Sequence, residues 1–166
     1  MSTLSVDTIQ GKTTAGTVAM PSGHVIQTVS QAITTLTNIQ STSYTATGLT
    51  KAITPKFSTS KILALVNLCS EMYQYGDSNL NFFFQITRDS SQIAYRRNEL
   101  YAENASSNGY YSISSHGTMI FEDSPSTTSS VTYAVNAKIS TTSNQSTCRI
   151  GYDNSFSTLT LMEIKQ

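Results

Sequence analysis

Hydrophobic and polar residues alternate along most of the chain from Gly23 onward, and this period of two is the pattern of β-strands with one buried face. The stretch SVTYAVNAKIS predicts such a strand most clearly, because every second residue is apolar. LNFFFQITR repeats the pattern, and the polar pair Asp89-Ser90 that follows it predicts a hairpin turn into SQIAYRR. The side chains expected in the core are Val131, Tyr133, Val135, Ala137 and Ile139 from the first stretch and Leu80, Phe82, Phe84 and Ile86 from the second, whereas Thr132, Asn136 and Lys138 are expected to face outward.

The stretch KILALVNLCSEM is apolar on both of its faces. Strands that are covered on both sides have this near-continuous apolar composition. We therefore predict a central strand with both faces covered. Ile62, Ala64, Val66 and Leu68 would form one face, and Leu63, Leu65 and Cys69 would lie on the other.

Further strands are predicted in HVIQTVSQ, SYTATGL, AITP, TMIFED, TCRIG and STLTLMEI, and turn-rich segments such as GDSN, NASSNG and SPSTT separate the strands. Eight or more short strands without a convincing helix favour a β-sandwich or a β-barrel. Among these folds we expect an antiparallel jelly-roll sandwich. An immunoglobulin-like sandwich is the alternative, although the chain has no Trp, which is a common core residue of that fold.

The N-terminal segment has only scattered apolar side chains among Thr, Ser and Gly. Such a segment buries too little apolar surface to fold alone, but it can form strands when it pairs with copies of itself or with another protein. We therefore expect residues 1–22 to form an extended attachment arm and residues 23–166 to form the head domain. The arm residues expected to make apolar contacts are Leu4, Val6, Ile9, Val18 and Met20.

Charge and cysteine content narrow the choice of partners. The chain has 10 Lys and Arg against 10 Asp and Glu. Binding to nucleic acid or to an anionic membrane requires clustered positive charge, so we expect neither partner. No apolar window is long enough to span a membrane, and the N-terminus lacks the basic and apolar regions of a secretory signal. We therefore expect synthesis in a cytoplasm, with Cys69 and Cys148 as reduced core thiols rather than a disulfide.

No group of catalytic or metal-binding residues stands out in the sequence. Residues 11–13 read GKT, like the end of a phosphate-binding loop, but Val6 stands where that motif requires its first Gly. His24 and His116 have no acidic or His neighbours at metal-binding spacing. We therefore predict that the protein is not an enzyme and holds no metal or cofactor. The acids that stand singly beside turn residues are expected to cap turns; they are Asp77, Asp89, Asp123 and Asp153.

Tyrosines concentrate in and next to two predicted loops, together with Asn, Asp and Arg. A Tyr ring offers flat apolar area with a polar tip, and the neighbouring polar groups can bond sugar hydroxyls, so this cluster predicts a receptor surface with a cell-surface glycan as the candidate partner. Tyr is also common at protein interfaces, so packing between subunits is the alternative. The residues of the cluster are Tyr73, Tyr75, Asp77, Arg96, Arg97, Tyr101, Asn104, Tyr110 and Tyr111.

Several stretches, in order, resemble a family of phage-encoded tail-fibre and virion-surface domains: TSYTATGLTKAITPKFSTSKILALVN, FQITRDSSQIAYR, FEDSPSTTSSVTYAVNAKIS and STLTLMEI. The resemblance covers about residues 23–164, and LSVDTIQGKTTAGTVAMPSG resembles the lead-in segment of tail fibres from marine phages, cyanophages especially. The resemblance implies a tumour necrosis factor-like jelly-roll head that assembles as a homotrimer, with no catalytic residues. The loops at residues 72–80 and 98–115 are richer in Tyr and Asn than in relatives, which implies a different receptor specificity.

The resemblance leads to two functional hypotheses. The first is a phage virion structural protein, a short tail-fibre or fibre-tip adhesin that docks on other virion proteins by its arm and contacts the host surface through head loops. The alternative is a trimeric capsid decoration protein that stabilises the phage head, which the small size of the chain suits. In both cases the protein is made in the host cytoplasm and ends on the virion surface. A glycan-cleaving enzyme is disfavoured, because no pair of acids can be singled out.

Overall fold

The structure, a computed structural model, describes residues 21–75, 79–101 and 109–166. These residues form β-strands and two short 3-10 turns, Ser143–Gln145 and Tyr152–Asn154. The described part contains no helix of the length and apolar character needed to cross a membrane. The strands are β1 (Val25–Ile33), β2 (Thr37–Ile39), β3 (Thr45–Ile53), β4 (Lys61–Tyr75), β5 (Asn79–Arg88), β6 (Ser91–Tyr101), β7 (Tyr110–Asp123), β8 (Val131–Ile139), β9 (Thr147–Ile150) and β10 (Ser157–Ile164).

The strands form two antiparallel sheets in a sandwich-like arrangement. The first sheet has the order β1-β10-β4-β7, and β9 and β2 extend it beside the second half of β4. β4 is the central strand of this sheet, because β7 pairs with one edge from Ile62 to Tyr75 while β10 and then β9 pair with the other edge. The second sheet has the order β3-β8-β5-β6. The predicted all-β class and the antiparallel two-sheet arrangement are therefore confirmed.

The core lies between the two sheets, where the alternating pattern placed it. Phe82 and Phe84 of β5 are fully buried, and their ring centroids lie 5.9 Å apart. Removal of such apolar surface from water is the main force that holds two sheets together. All the inward-facing residues predicted from the three clearest strands are buried: Ile62, Ala64, Val66, Leu68, Leu80, Phe82, Phe84, Ile86, Val131, Tyr133, Val135, Ala137 and Ile139.

The predicted hairpin between β5 and β6 is confirmed. Asp89 and Ser90 have φ values of 47° and 73°, which is the left-handed backbone that a two-residue hairpin of type I′ requires. Asp89 also ties this turn to β8, because its backbone N–H donates to the Thr132 carbonyl at 2.9 Å and its Oδ1 accepts from the Thr132 N–H at 2.9 Å. The turn therefore stands next to the start of β8.

The boundaries of several strands differ from the prediction. β7 begins at Tyr110 rather than near Thr118, so it pairs with the whole length of β4. β3 is one strand where two were predicted, with a register shift between Ala46 and Thr50. Gly48 lies in that shift with a φ of 90°, a conformation that glycine adopts without steric cost. These differences arise because pairing with a long neighbour extends a strand through Ser-rich and Gly-containing sequence.

Glu163, the acidic residue of the C-terminal stretch STLTLMEI, has a structural role. Glu163 of β10 is fully buried. Its carboxylate accepts a hydrogen bond from the Lys56 backbone N–H at 2.7 Å and another from Gln27 Nε2 at 2.5 Å. A buried carboxylate requires such donors, since an unpaired one would be strongly unfavourable. Glu163 therefore fastens the connection between β3 and β4 to β1 and β10.

Asp123 does not cap a turn, in contrast to the prediction. At the end of β7, its carboxylate accepts hydrogen bonds from Arg88 Nη1 at 2.7 and 2.8 Å and from the Tyr133 hydroxyl at 2.6 Å. Burial, together with the hydrogen bond to Asp123, raises the pKa of Tyr133, so this phenol remains a neutral donor. The group joins β7 of the first sheet to β5 and β8 of the second sheet.

Replacing Asp123 with Ala is expected to lower the free energy of unfolding by about 3 kcal/mol, because Arg88 and the Tyr133 hydroxyl lose their shared acceptor in a largely buried place. Glu122→Ala is the matched control, since it removes the adjacent surface ion pair with Lys61 and should cost less than about 1 kcal/mol. Denaturant unfolding of both variants measures the difference. Equal losses would show that the Asp123 group is no more important than a surface pair.

Candidate functional site

The outer face of the first sheet changes character along its length. The outward side chains of β4 are apolar near its start, at Leu63 and Leu65, and aromatic at its end, at Tyr73 and Tyr75. The outward side chains of the adjacent strand β7 change in the same way, from the apolar Ile120 beside the start of β4 to the aromatic Tyr110 beside its end. One sheet face therefore carries two surfaces of different chemistry at opposite ends.

The first of these surfaces, which we call the apolar half, is formed by three neighbouring strands. Leu65 of β4 lies opposite Ile120 of β7, and Leu63 lies opposite Met162 of β10. Ile120 is 64% exposed, and the other three residues are only half-buried. Coverage of both faces of β4 was predicted, but within the single chain the second face remains partly open. The apolar half consists of Leu63, Leu65, Ile120 and Met162.

The second surface contains three of the predicted tyrosines. Tyr75 lies opposite Tyr110 across the β4–β7 ladder, and their ring centroids are 5.4 Å apart with the rings edge to face. Tyr73 approaches the same Tyr110 ring at 5.7 Å. Tyr75 and Tyr110 remain exposed, at 37% and 49%. We call Tyr73, Tyr75 and Tyr110, together with Tyr152, the tyrosine surface.

Arg149 connects the tyrosine surface to the neighbouring strand β9. Its guanidinium carbon lies 4.2 Å from the centre of the Tyr73 ring and 5.1 Å from that of Tyr152, and its Nη1 donates to Glu71 Oε2 at 3.1 Å. Burial alone lowers the pKa of Arg149, but Tyr73 and Glu71 outweigh burial and leave the pKa raised. The charged guanidinium therefore holds Tyr73 and Tyr152 in place through cation–π contacts.

The remaining residues of the predicted cluster do not join the tyrosine surface. Tyr111 pairs with Gln74 and so points to the opposite side of the first sheet. Arg96 belongs to β6 of the second sheet, and its Nη1 donates to the Thr118 carbonyl at 2.7 Å, which bridges the two sheets. Arg97 lies on β6 as well, beside Glu99 at 3.5 Å. Asp77, Asn104 and the side chain of Tyr101 lie outside the described residues.

Sequence reasoning missed Glu71, Arg149 and Tyr152 as members of this site. The alternation in TCRIG does place Arg149 on the face opposite to Cys148 and Ile150, so its outward position could have been found. The contact between Arg149 and Tyr73 could not have been found from the sequence, because the pairing of β9 with the end of β4 joins residues that are far apart in the chain. The predicted arm residues Leu4, Val6, Ile9, Val18 and Met20 lie outside the described residues.

A small pocket of about 230 Å³ lies between the two surfaces. It is lined by Cys69 and His116, whose Sγ and Nδ1 atoms are 3.2 Å apart. Cys69 and Cys148 are free thiols, and burial raises the pKa of Cys148. Within the described residues no group of three or more His, Cys, Asp or Glu side chains could hold a metal ion. Cys69 and His116 therefore form a thiol–imidazole contact that offers only two potential metal ligands.

Comparisons with known proteins do not show a family. No protein-family model matches the sequence, and no curated protein is significantly similar to it. Among solved structures, the chain is similar to dimeric latent PorU from Porphyromonas gingivalis, with a TM-score of 0.33 and 10% sequence identity. The similarity covers 89% of this chain and 14% of the PorU chain. A similarity of this size carries no argument about function.

Proposed function

We propose that the protein is a virion structural protein of a phage, a homotrimeric jelly-roll adhesin whose N-terminal arm docks on the particle and whose head contacts the host surface. The strand order supports the jelly roll. Eight of the ten described strands follow the orders β1-β10-β4-β7 and β3-β8-β5-β6, the short strands β9 and β2 extend the first sheet to six strands, and the chain crosses repeatedly from one sheet to the other. Jelly rolls are double-sheet folds built from eight such strands, and this order is consistent with one.

The division of the outer face of the first sheet supports the proposal most directly. An apolar half and a tyrosine surface share one face, so one part can pack against identical copies while the other part remains free to bind. The apolar half supports the trimer, because monomers rarely leave a contiguous apolar area in water. Ile120, at 64% exposure, would gain most from a partner subunit.

The tyrosine surface supports the contact with a host. Tyr75 and Tyr110 are exposed, and Tyr110 packs against Tyr73, whose ring lies against Arg149. Aromatic residues and Arg are the side chains that carry most binding energy at interfaces. Three weak sites on one trimer would act together, so a modest affinity per site can give firm attachment to a cell.

Replacing both Tyr75 and Tyr110 with Ala is expected to reduce binding to host cells at least tenfold, because two exposed aromatic anchors are lost. The measurement uses the fluorescently labelled full chain on a panel of marine cyanobacterial strains. The melting temperature should change little, since both side chains are substantially exposed.

Phe57→Ala is the matched control, since Phe57 is an exposed aromatic residue that precedes the start of β4, at the opposite end of the sheet face. Cell binding should be unchanged in this variant. A large fall in the melting temperature of the Tyr75 and Tyr110 variant would instead assign these rings to an interface between subunits. Binding of the wild-type chain to phage capsids but to no cell would contradict the adhesin and favour capsid decoration.

A further inference from the structure

A groove of about 340 Å³ lies on the outer face of the second sheet, away from the tyrosine surface. Its volume is at the lower end of the range of about 300–1,000 Å³ that is usual for small-molecule sites. The groove runs beside the β5–β6 hairpin and over β5 and β8. Apart from Ala134, the residues that line it are polar: Tyr44, Gln85, Thr87, Asp89, Ser90, Thr132 and Asn136.

Two carboxamides form the floor of the groove. Gln85 of β5 and Asn136 of β8 are direct partners across the ladder, so their side chains lie next to each other on the outer face. Asn136 Nδ2 makes one long contact to Thr87 Oγ1, at 3.4 Å, which leaves most of its hydrogen-bonding capacity unused.

Gln85 is the most informative residue of this floor. Its side chain is on the outward side of β5, yet the residue is only 8% exposed. Its carboxamide lines the groove and is not among the buried, unbonded side-chain groups of the described residues. A carboxamide that lines a groove offers a ligand both N–H donors and a carbonyl acceptor.

Aromatic rings border the amide floor. Tyr95 of β6 is the ladder partner of Gln85 on its other side and is 63% exposed. Tyr44 lines the groove, and Lys138 Nζ lies 4.8 Å from the centre of the Tyr44 ring. Burial and the neighbouring Tyr95 raise the pKa of Tyr44, so its hydroxyl is neutral and can both donate and accept.

We infer that this groove is a saccharide-binding site for a neutral hexose-type unit, with the carboxamides of Gln85 and Asn136 bonding sugar hydroxyls and the Tyr95 ring covering the C–H face of the sugar. Thr87 and Thr132 supply further hydroxyls, and Asp89 supplies a carboxylate whose Oδ1 already accepts from the Thr132 N–H. The lining includes one acid, Asp89, and Lys138 lies beside the lining residue Tyr44, so the two charges offset each other and a neutral ligand fits the groove.

The groove is separate from both surfaces of the first sheet. Sugar binding to the groove can therefore be measured independently of trimer formation and of attachment to cells. A groove that binds no sugar would not contradict the adhesin proposal. If both hold, each head would present two kinds of contact to a glycan-coated cell.

Nuclear magnetic resonance of the ¹⁵N-labelled full chain tests the site, with glucose, galactose, mannose, fucose and rhamnose as probes at millimolar concentrations. We expect at least one sugar to shift the side-chain amide resonances of Gln85 and Asn136 in a saturable way. Gln85→Met keeps the length of the side chain and removes the amide, and it should weaken binding about tenfold.

Tyr95→Ala gives a second measurement that does not depend on the stability of the Gln85 variant, because Tyr95 is exposed and its loss leaves the fold intact. It should weaken binding about threefold or more. Asn67→Ala is the control, since it removes a half-buried amide from the outer face of the first sheet and should leave binding unchanged. The assignment is overturned if no sugar shifts the Gln85 and Asn136 resonances, or if Tyr95→Ala binds as tightly as the wild type.

Discussion

Replacing Val135 with Asp is expected to prevent the chain from folding. Val135 is 1% exposed at the centre of β8, where it faces the core between Tyr133 and Ala137. A carboxylate there would have no hydrogen-bond donor and no counter-charge, and its burial would cost several kcal/mol. A domain of this size is stable by only about 5–15 kcal/mol, so the added loss of the Val side chain should remove most or all of that stability.

Circular dichroism and limited proteolysis of the purified chain measure this effect. The variant should lack a cooperative thermal transition and should be digested rapidly. Thr50→Asp is the control, because it places the same charge on an exposed position of the neighbouring strand β3 and should change stability by less than about 0.5 kcal/mol. A Val135→Asp chain with a cooperative transition would mean that the core has been assigned to the wrong face of β8.

Replacing Ile120 with Asp is expected to convert a trimer into a folded monomer. Ile120 is 64% exposed in the single chain, so the substitution removes few contacts within it. In a trimer that packs through the apolar half, the same substitution would bury three carboxylates without partners, and their desolvation is far more costly than the contact is favourable. Light scattering should therefore give a mass near three times 18.0 kDa for the wild type and near 18.0 kDa for the variant.

Tyr95→Asp is the matched control for this experiment. Tyr95 is 63% exposed, almost the same as Ile120, but it lies on the outer face of the second sheet. The control should remain a trimer. A wild-type chain that is monomeric in solution, or an Ile120→Asp chain that still forms a trimer, would contradict packing through the apolar half.

The motifs that carry the resemblance to phage virion domains have structural explanations. The Glu163 of the Met-Glu-Ile ending binds the connection that contains ITPKF, and Asp123 of the FEDSP stretch binds the Tyr133 hydroxyl of the YAV stretch. Stretches far apart in the chain therefore depend on each other. These contacts hold distant parts of the fold together.

The candidate site was predicted only in part. Tyr73, Tyr75 and Tyr110 meet as a cluster, because β4 and β7 both carry their tyrosines at the same end of the sheet. Arg96 and Arg97, although near these tyrosines in sequence, belong to the other sheet. In a β-sandwich, residues that are close in sequence are often far apart in space, since consecutive strands often belong to different sheets.

The sequence by itself determined the all-β class and the buried side of the clearest strands, although not every strand or strand boundary. Alternation is a local property, since neighbouring side chains point to opposite faces, and so Phe82, Phe84 and Val135 could be placed in the core without knowing any strand's partner. Only the tertiary structure decided which outward residues become neighbours. Arg149 reaches Glu71 from 78 residues away, and Gln85 meets Asn136 through a separate strand pairing. Such pairings depend on the order and register of the strands, which local periodicity does not encode.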